Sequence, residues 1–473
     1  MRAELSVAGA ATRVEGPLLF LRRKLPVGLN DSVEVFGADG RGRLGRVAAL
    51  DDERMVVEVL DSTAGLSLAE ARVRLHGAPL RFHVGPGILG RILDGVGRPV
   101  DGGPPLAAER ALRIEGQPMN PARRLKPSKF VETGLTSIDL LNSLVRGQKL
   151  PIFSAGGLPH DRMLAEIAQH ARLLGGEHER FALVFAGIGL AYDVAEAFKR
   201  AMQQSGSLAH TAMFLNLASE SSTQRLLTPR FALTAAEYLA FVEGRHVLVL
   251  MTDMTNYCEA LREVSASHGE IPSRKGYPGY MYSDLALIYE RAGVVRGLPG
   301  SVTQLVALTM PAGDISHPIA DLTGYITEGQ IVLDRDLDRS GIYPPVKILP
   351  SLSRLMKDGI GEGSTHPDHP ALAQQLYASY ARANDVRRLA SVVGTDGLPE
   401  TDRHLLAFGE ALERRPIHQQ GTRGIGESLR IGWELIRTLP PGELRRLSRA
   451  QIERHVSAGA PARETPAPSE TSS

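Results

Sequence analysis

Apolar and polar residues alternate in short segments from about residue 10 to residue 80, and glycine, aspartate and asparagine separate the segments. The alternating segments are Gly16–Leu21, Ser32–Phe36, Met55–Leu60 and Arg72–His76. Side chains of a strand point in turn to its two faces, so alternation of this kind is typical of half-buried strands. The pattern predicts a small all-β barrel or sandwich at the N-terminus.

A second pattern, in which apolar strands alternate with helical segments, runs from about residue 130 to residue 350. The predicted strands are Leu150–Ser154, Phe181–Gly187, Ala212–Leu217, Val247–Thr252, Val302–Thr309 and Gln330–Asp334. This alternation predicts an α/β domain whose parallel sheet is covered by helices on both faces. Ligands of such sheets bind beyond the carboxyl ends of the strands, so the residues after 154, 187 and 252 are candidates for a functional site.

Helical periodicity replaces the strand pattern after about residue 355. The predicted helices are Ala371–Ser391, Glu400–Arg415 and Gly426–Leu439. Trp433 is expected in their core. We therefore expect an N-terminal β-barrel at 1–80, an α/β domain at 81–355 and a helical domain at 356–456. Residues 457–473 are rich in Pro, Ser, Ala and Glu and are predicted to form a disordered tail.

Composition excludes several function classes. The 473 residues include 54 Lys and Arg against 53 Asp and Glu, a balance that argues against a dedicated nucleic-acid binder. The aliphatic run Val247–Met251 is far shorter than the roughly 20 residues of a membrane span. The single cysteine, Cys258, cannot form an internal disulfide, which fits a reducing compartment.

The segment Phe153–His160 has the layout of a phosphate-binding loop without its functional side chains. A working loop surrounds phosphate with backbone amides, reaches it with a lysine and binds magnesium with the next hydroxyl. Here the lysine position holds Pro159 and the hydroxyl position holds His160, while only the interior Gly156 and Gly157 remain. Proline removes an N–H donor but suits the first turn of a helix. The segment predicts either a degenerate phosphate loop or a strand–turn–helix that never bound phosphate.

A carboxylate, Asp253, ends the strand that begins at His246. In ATPases with phosphate loops, a carboxylate in this place holds magnesium through water. An aspartate at a strand end is also a common N-cap, and either Thr252 or Asp253 could cap a helix predicted at Tyr257–Ala266. The sequence leaves both interpretations open. We expect Gly156, Gly157 and Asp253 to form at most a weak remnant of a nucleotide site.

Four longer motifs carry a resemblance to a known family. They are Leu150-Pro-Ile-Phe-Ser-Ala-Gly-Gly-Leu-Pro-His160, Glu270-Ile-Pro-Ser-Arg-Lys-Gly-Tyr-Pro-Gly-Tyr-Met-Tyr282, Asp321-Leu-Thr-Gly-Tyr-Ile-Thr-Glu-Gly-Gln-Ile331 and Leu349-Pro-Ser-Leu-Ser-Arg-Leu355. Over roughly residues 10 to 455, the chain resembles the B subunit of V/A-type rotary ATPases. The resemblance implies a RecA-like central domain and a non-catalytic, regulatory chain. It also implies that three copies alternate with three catalytic A subunits around a central rotor shaft, with peripheral stalks as further partners.

The resemblance also assigns the chemistry to the interface with A. The family's catalytic chain carries Glu-Arg where this chain has Leu190 and Ala191, so the isolated chain is expected to be inactive. ATP or ADP with magnesium is implied at the A–B interface, held mainly by A. Arg354 is implied to reach the γ-phosphate of that nucleotide as an arginine finger. From the residues alone, Arg354 would instead be interpreted as a surface arginine, salt-bridged to a neighbour, in a Pro/Ser turn between strand and helix.

The resemblance also implies a location in the cell, and two other functions are alternatives to it. It implies a peripheral position on the cytoplasmic side of a membrane, within a complex that couples ATP synthesis or hydrolysis to proton or sodium transport. One alternative is a purely structural pseudo-ATPase scaffold. The other is a hexameric nucleic-acid translocase, which must hydrolyse ATP itself and which Pro159 and Leu190 therefore disfavour.

Three further features are weaker candidates. His366 and His369 have a spacing that metal ligands can use, but prolines interrupt the segment and no metal site is predicted. The basic cluster Arg123–Lys129 is expected to be a solvated linker. The loop Arg274–Tyr282 faces the rotor axis by family analogy, or is a tight surface turn.

Overall fold

The computed structural model describes residues 5–8, 11–23, 26–116, 119–174 and 180–457. The predicted tail, apart from Ser457, lies outside the described residues. Within the described ranges, no helix combines the length and hydropathy that a membrane span requires.

The N-terminal region forms one antiparallel sheet of seven strands. The strands are β1 Leu5–Ala8, β2 Ala11–Glu15, β3 Leu18–Arg22, β4 Asp31–Phe36, β5 Gly42–Leu50, β6 Arg54–Val59 and β7 Arg72–Pro79. Their hydrogen-bonded order is β1-β7-β4-β5-β6-β3-β2. The inward side chains, among them Leu19, Val33, Val47, Val57 and Val73, form a core of their own. The structure confirms the small β domain that the alternating pattern predicts.

Within the described residues, the central region consists of a ten-stranded mixed sheet, two small antiparallel sheets of two and three strands, and flanking helices. Its strands are β8 Arg81–Val84, β9 Ile92–Asp94, β10 Arg110–Arg113, β11 Arg124–Leu125, β12 Phe130–Glu132, β13 Leu144–Val145, β14 Lys149–Ala155, β15 Arg172–Leu173, β16 Phe181–Leu190, β17 Thr211–Leu217, β18 His246–Thr252, β19 Gly293–Val295, β20 Ser301–Met310, β21 Gly329–Leu333 and β22 Val346–Ser353. Its helices are α1 Thr136–Asp139, α2 His160–His170, α3 Tyr192–Ser205, α4 Ser222–Phe241, α5 Met254–Ser267, α6 Met281–Tyr289, α7 Pro318–Ile326, α8 Arg335–Arg339 and α9 Met356–Gly359. The main strand order is β22-β21-β14-β20-β18-β16-β17-β9.

Both faces of this sheet are buried, as the near-continuous apolar strands predict. In β18, Leu248 and Leu250 belong to a core shared with α2, α3 and the C-terminal helices. Val247 and Val249 point to the other face and belong to a core shared with α4, α5 and α6. The carboxyl ends of the parallel strands β14, β16 and β18 meet at one edge, where the predicted loop residues lie.

Four strands of the main sheet, β9, β11, β19 and β22, are absent from the sequence prediction. β19 pairs antiparallel with β20, and β11 pairs antiparallel with β19. β9 adds a short parallel strand beside β17, and β22 pairs antiparallel with β21 at the opposite edge, so the sheet is not wholly parallel. Arg354 lies in a turn between strand and helix, as expected from the residues, but the preceding Pro350–Ser353 is the end of β22 and not part of that turn. The strand was not predicted because its inward positions hold polar residues. The hydroxyls of Ser351 and Ser353 donate to the carbonyls of Lys347 and Ser143.

The C-terminal region is helical. Its helices are α10 His369–Val393, α11 Glu400–Leu412, α12 Ile425–Ile436 and α13 Arg449–Ile452. Trp433 is buried in the large core, as predicted, and its ring stacks on His455 with centroids 4.0 Å apart. The last described turn is held by Asp368, whose carboxylate accepts hydrogen bonds from Arg454 at 2.8 Å and His455 at 2.7 Å.

Candidate functional site

The loop after β14 is short and bonded within itself. The amide of Leu158 donates to the Ala155 carbonyl at 3.1 Å, and the amide of His160 donates to the Leu158 carbonyl at 2.9 Å. Pro159 has no N–H and forms the N-cap of α2. Gly156 and Gly157 are the exposed residues of the loop, and Gly157 has a φ of +88° that favours glycine. The loop therefore presents far fewer donors than a phosphate requires.

His160 fills the place that a hydroxyl occupies in a working loop. Its Nδ1 lies 3.1 Å from the Leu158 carbonyl, which can only accept, so Nδ1 is the donor. Its Nε2 lies 3.6 Å from Asp161 Oδ1 and 3.9 Å from Asp253 Oδ2. The buried ring thus separates the loop from the carboxylate that the sequence suggests for magnesium.

Asp253 is the N-cap of α5. Its Oδ1 accepts hydrogen bonds from the amides of Thr255 at 2.7 Å and Thr309 at 3.1 Å, which tie α5 to β20. The side chain is buried, and this burial raises the pKa of Asp253. Of the two interpretations that the sequence leaves open, the helix cap is the one with visible partners.

The end of β16 is apolar. Leu190 is buried, and a Cβ built on Gly187 would meet its Cδ1 at 2.6 Å. One cation that the sequence did not indicate does reach the loop: Arg335 donates from Nη2 to the Gly156 carbonyl at 3.1 Å. Arg335 starts α8 and lies 179 residues away in sequence, so no local pattern connects it with the loop. Taken together, these residues do not fit a tightly held magnesium nucleotide.

Arg354 has a different environment, on the far edge of the sheet. It directly follows β22 and is exposed. Its amide donates to the Glu328 carbonyl at 3.0 Å, and its Nη1 donates to the Thr327 carbonyl at 3.2 Å. Within the described part of the chain, no carboxylate forms an ion pair with it. The salt bridge expected from the residues alone is therefore not found there, and the guanidinium keeps donors for another ligand.

A cavity of about 740 Å³ adjoins Arg354, between the end of β22 and α10. Its lining includes Arg354, Lys357, Leu352, Pro370, Tyr377 and Arg446. The cationic side chains Arg354, Lys357 and Arg446 suit an anionic group of a ligand, and the apolar side chains beside them suit a flat or apolar group attached to it. The cavity stands open at the surface, where Leu352 and Tyr377 are exposed.

Comparison with known proteins decides the family. A model of the ATP synthase alpha/beta family nucleotide-binding domain matches residues 134–353, and a model of the C-terminal domain of V and A type ATP synthase matches residues 358–456. The chain is 50% identical to the V-type ATP synthase beta chain of Halothermothrix orenii, over 93% of this chain and 96% of that one. It belongs to the V/A-type ATP synthase B subunits.

A second relative and a solved structure agree. The V-type ATP synthase beta chain 2 of Treponema pallidum is also 50% identical, over 94% of this chain and 93% of that one. The solved structure of a unique ATP synthase subunit, NeqB from Nanoarcheaum equitans, is similar with a TM-score of 0.72 and 36% identity. It covers 90% of this chain and 100% of the NeqB chain. The family resemblance and the fold class inferred from the sequence are confirmed.

The weaker candidates of this B-subunit chain have ordinary structural partners. In the basic cluster, Lys126 pairs with Asp358 at 2.7 Å and Arg124 with Glu290 at 2.8 Å, while Arg123, Lys126 and Lys129 are exposed, as expected for a solvated linker. His369 is fully buried, with Nε2 3.0 Å from the Leu140 carbonyl and Nδ1 3.0 Å from the Thr365 hydroxyl. In the loop Arg274–Tyr282, Tyr280 and Tyr282 are exposed, and the orientation toward a rotor stays a prediction.

Proposed function

We propose that this chain is the non-catalytic, regulatory B subunit of a V/A-type rotary ATPase or ATP synthase. In this proposal Arg354 acts in trans on nucleotide held by a neighbouring catalytic A subunit. One observation carries the proposal: Arg354 is exposed beside an open cavity, is oriented by two backbone carbonyls, and has no carboxylate partner in the described chain.

The chemistry of a guanidinium suits this role. Its planar donors match phosphate oxygens, and its positive charge stabilises the charge that spreads over those oxygens in the transition state. Arginine fingers contribute about 10³- to 10⁵-fold in rate. At 1.36 kcal/mol per decade, this corresponds to about 4 to 7 kcal/mol. The backbone carbonyl accepts from one N–H of Nη1, so the N–H groups of Nε and Nη2 and the second N–H of Nη1 are available to phosphate.

The phosphate loop of the chain supports the same division of labour. Pro159, His160 and Leu190 occupy the positions of the lysine, the hydroxyl and the glutamate that a hydrolysing chain needs. The isolated chain is therefore inactive in this proposal. Any nucleotide at Gly156, Gly157 and Asp253 binds weakly, because Asp253 already caps a helix and His160 stands before it.

In the proposed assembly, three A and three B subunits alternate in a ring around a central rotor shaft, with peripheral stalks outside. The ring lies on the cytoplasmic side of a membrane, and other subunits move protons or sodium ions. ATP or ADP with magnesium lies at the A–B interface and is held mainly by A.

Reconstitution tests this function. The chain is combined with the catalytic A subunit from the same organism, and ATP hydrolysis is measured for each chain alone and for the isolated ring. The expected result is negligible hydrolysis by either chain alone and hydrolysis by the alternating ring. An active ring that does not depend on Arg354 would favour the structural scaffold instead, and hydrolysis by this chain alone would refute the proposal.

A further inference from the structure

The residues that hold Arg354 come from one of the sequence motifs whose role is otherwise unassigned. Thr327 and Glu328 follow α7 within Asp321–Ile331, and we call these two residues the Arg354 cradle. Their carbonyls accept the two hydrogen bonds of Arg354, from Nη1 and from the amide. The position of the guanidinium therefore depends on where the backbone of the cradle lies.

The cradle is fixed on one side by α7 and on the other by β22. Thr327 is buried, and its amide and hydroxyl both donate to the Thr323 carbonyl, at 3.1 and 2.8 Å. Gly329, the next residue after the cradle, has a φ of +139° and allows a close approach of β22. A Cβ there would lie 2.0 Å from the Leu352 carbonyl oxygen.

The buried residue Lys149 contacts the cradle from a third side. Lys149 and Glu328 exchange backbone and side-chain bonds. The Glu328 amide donates to the Lys149 carbonyl at 3.1 Å, and the Lys149 amide donates to Glu328 Oε2 at 2.9 Å. The Lys149 ammonium then reaches Glu328 Oε1 at 2.7 Å. Three contacts thus join the first residue of β14 to the cradle.

The ammonium has a second carboxylate partner. Its Nζ lies 2.9 Å from Glu290 Oε1, and only 5% of the Lys149 side chain is exposed. A buried ion pair is weak evidence for stability, because desolvation of the charges offsets much of their attraction. What such a pair does supply is a defined geometry, since an alternative arrangement would leave a buried charge unpaired.

We propose that Lys149 is a positioning residue for Arg354, acting through Glu328 and the Thr327 carbonyl. The inference rests on the proposed role of Arg354 in trans and adds to it a residue that touches neither nucleotide nor the partner's site. A displacement of about 1 Å in a group that contacts the transition state can cost about 100-fold in rate. Loss of the contact between the Lys149 ammonium and the Glu328 carboxylate should therefore slow the chemical step without preventing assembly.

The test uses the reconstituted ring and steady-state hydrolysis of ATP, with rates divided by the concentration of assembled rings. Lys149→Met removes the ammonium and keeps the length of the side chain. The expected result is a kcat lower by about 10- to 100-fold with a KM changed by less than about twofold, because the contact acts in the transition state. Lys149→Arg keeps the charge and should recover most of kcat.

Two further variants keep the test decisive if Lys149→Met folds poorly. Glu328→Gln preserves an acceptor for the Lys149 amide but removes the negative charge that pairs with the Lys149 ammonium. This variant should lower kcat by about 10-fold. Glu290→Gln is the matched control, because Glu290 contacts the same ammonium without touching the cradle, and it should keep kcat within about twofold. Adding Lys149→Met to an Arg354→Ala ring should produce no further loss.

The outcomes distinguish failure of the Lys149 role from failure of the Arg354 role. If Arg354→Ala is slow while the Lys149→Met and Glu328→Gln rings turn over within about twofold of wild type, the positioning role of Lys149 is overturned and the role of Arg354 stands. The same holds if Lys149→Met lowers kcat equally with and without Arg354. If the Arg354→Ala ring hydrolyses ATP normally, the proposed function itself fails.

Discussion

Replacement of Asp253 by alanine distinguishes a helix cap from a magnesium ligand. The variant removes the oxygen that accepts from Thr255 and Thr309. The Thr309 amide keeps a second acceptor, the Thr255 hydroxyl at 3.1 Å, so the half-buried Thr255 amide is the donor that loses its partner. Loss of an N-cap costs about 0.5 to 2 kcal/mol, and a buried unsatisfied donor costs about 1 to 3 kcal/mol. Both ranges describe the same lost bond, to the Thr255 amide, so we expect about 2 kcal/mol of local destabilisation.

Asp253→Asn is the matched comparison. The asparagine keeps an Oδ1 that accepts from both amides. Burial raises the pKa of Asp253, so the site does not favour the charged form of this side chain, and a neutral amide should be tolerated. We expect a loss of about 1 kcal/mol or less for this variant.

Amide hydrogen exchange is the suitable assay, because a chain with several structural units has no single unfolding free energy. In α5, Met254–Ser267, Asp253→Ala should accelerate exchange by about 30-fold, which is about 2 kcal/mol at 1.36 per decade. Asp253→Asn should accelerate it by less than about 10-fold. The reasoning is refuted if Asp253→Asn leaves exchange unchanged but abolishes a measurable affinity of the isolated chain for magnesium and ATP.

Two other predictions concern stability. Burial lowers the pKa of His369 from 6.5 to about 4, so its stabilising contribution is present above pH 6.5 and is lost as the pH falls toward 4. The loss is about 3 kcal/mol of local stability from this shift, and the apparent melting temperature of wild type should fall over that pH range more steeply than that of His369→Gln. Equal slopes would contradict the assignment. Gly329→Ala should destabilise the chain by about 1 to 3 kcal/mol or more, since its Cβ would lie 2.0 Å from the Leu352 carbonyl oxygen. Gly426→Ala, where a Cβ meets nothing within 4 Å, is its control, and equal melting temperatures of the two variants would count against the close approach.

The core of the sheet was predictable from sequence because its strands are buried on both faces. Continuous apolar runs predicted β14, β17, β18, β20 and β21 to within one residue at each end, and β16 at its start. Strands with polar or glycine-containing sequences were harder to predict. β5, in the middle of the N-terminal sheet, contains glycines and arginines and was missed, and β22, at the edge of the main sheet, was missed because its inward positions hold serines.

One part of the candidate site was likewise predictable from sequence and another part was not. The degenerate loop was visible because its residues are adjacent, and its missing lysine and hydroxyl can be counted directly. The cradle of Arg354 was not visible, because Thr327 lies 27 residues away in sequence, and Lys149 lies 179 residues from Glu328. Such contacts join the start of β14 and the residue after β22 to the loop between α7 and β21, and no local pattern encodes them.

The measurement that tests the central claim most directly is the hydrolysis rate of the reconstituted ring with Arg354→Lys. Lysine keeps the charge but lacks the planar donors that match phosphate oxygens. We predict a ring that assembles as wild type does and hydrolyses ATP about 10³- to 10⁵-fold more slowly. Normal turnover by an assembled Arg354→Lys ring would contradict the account.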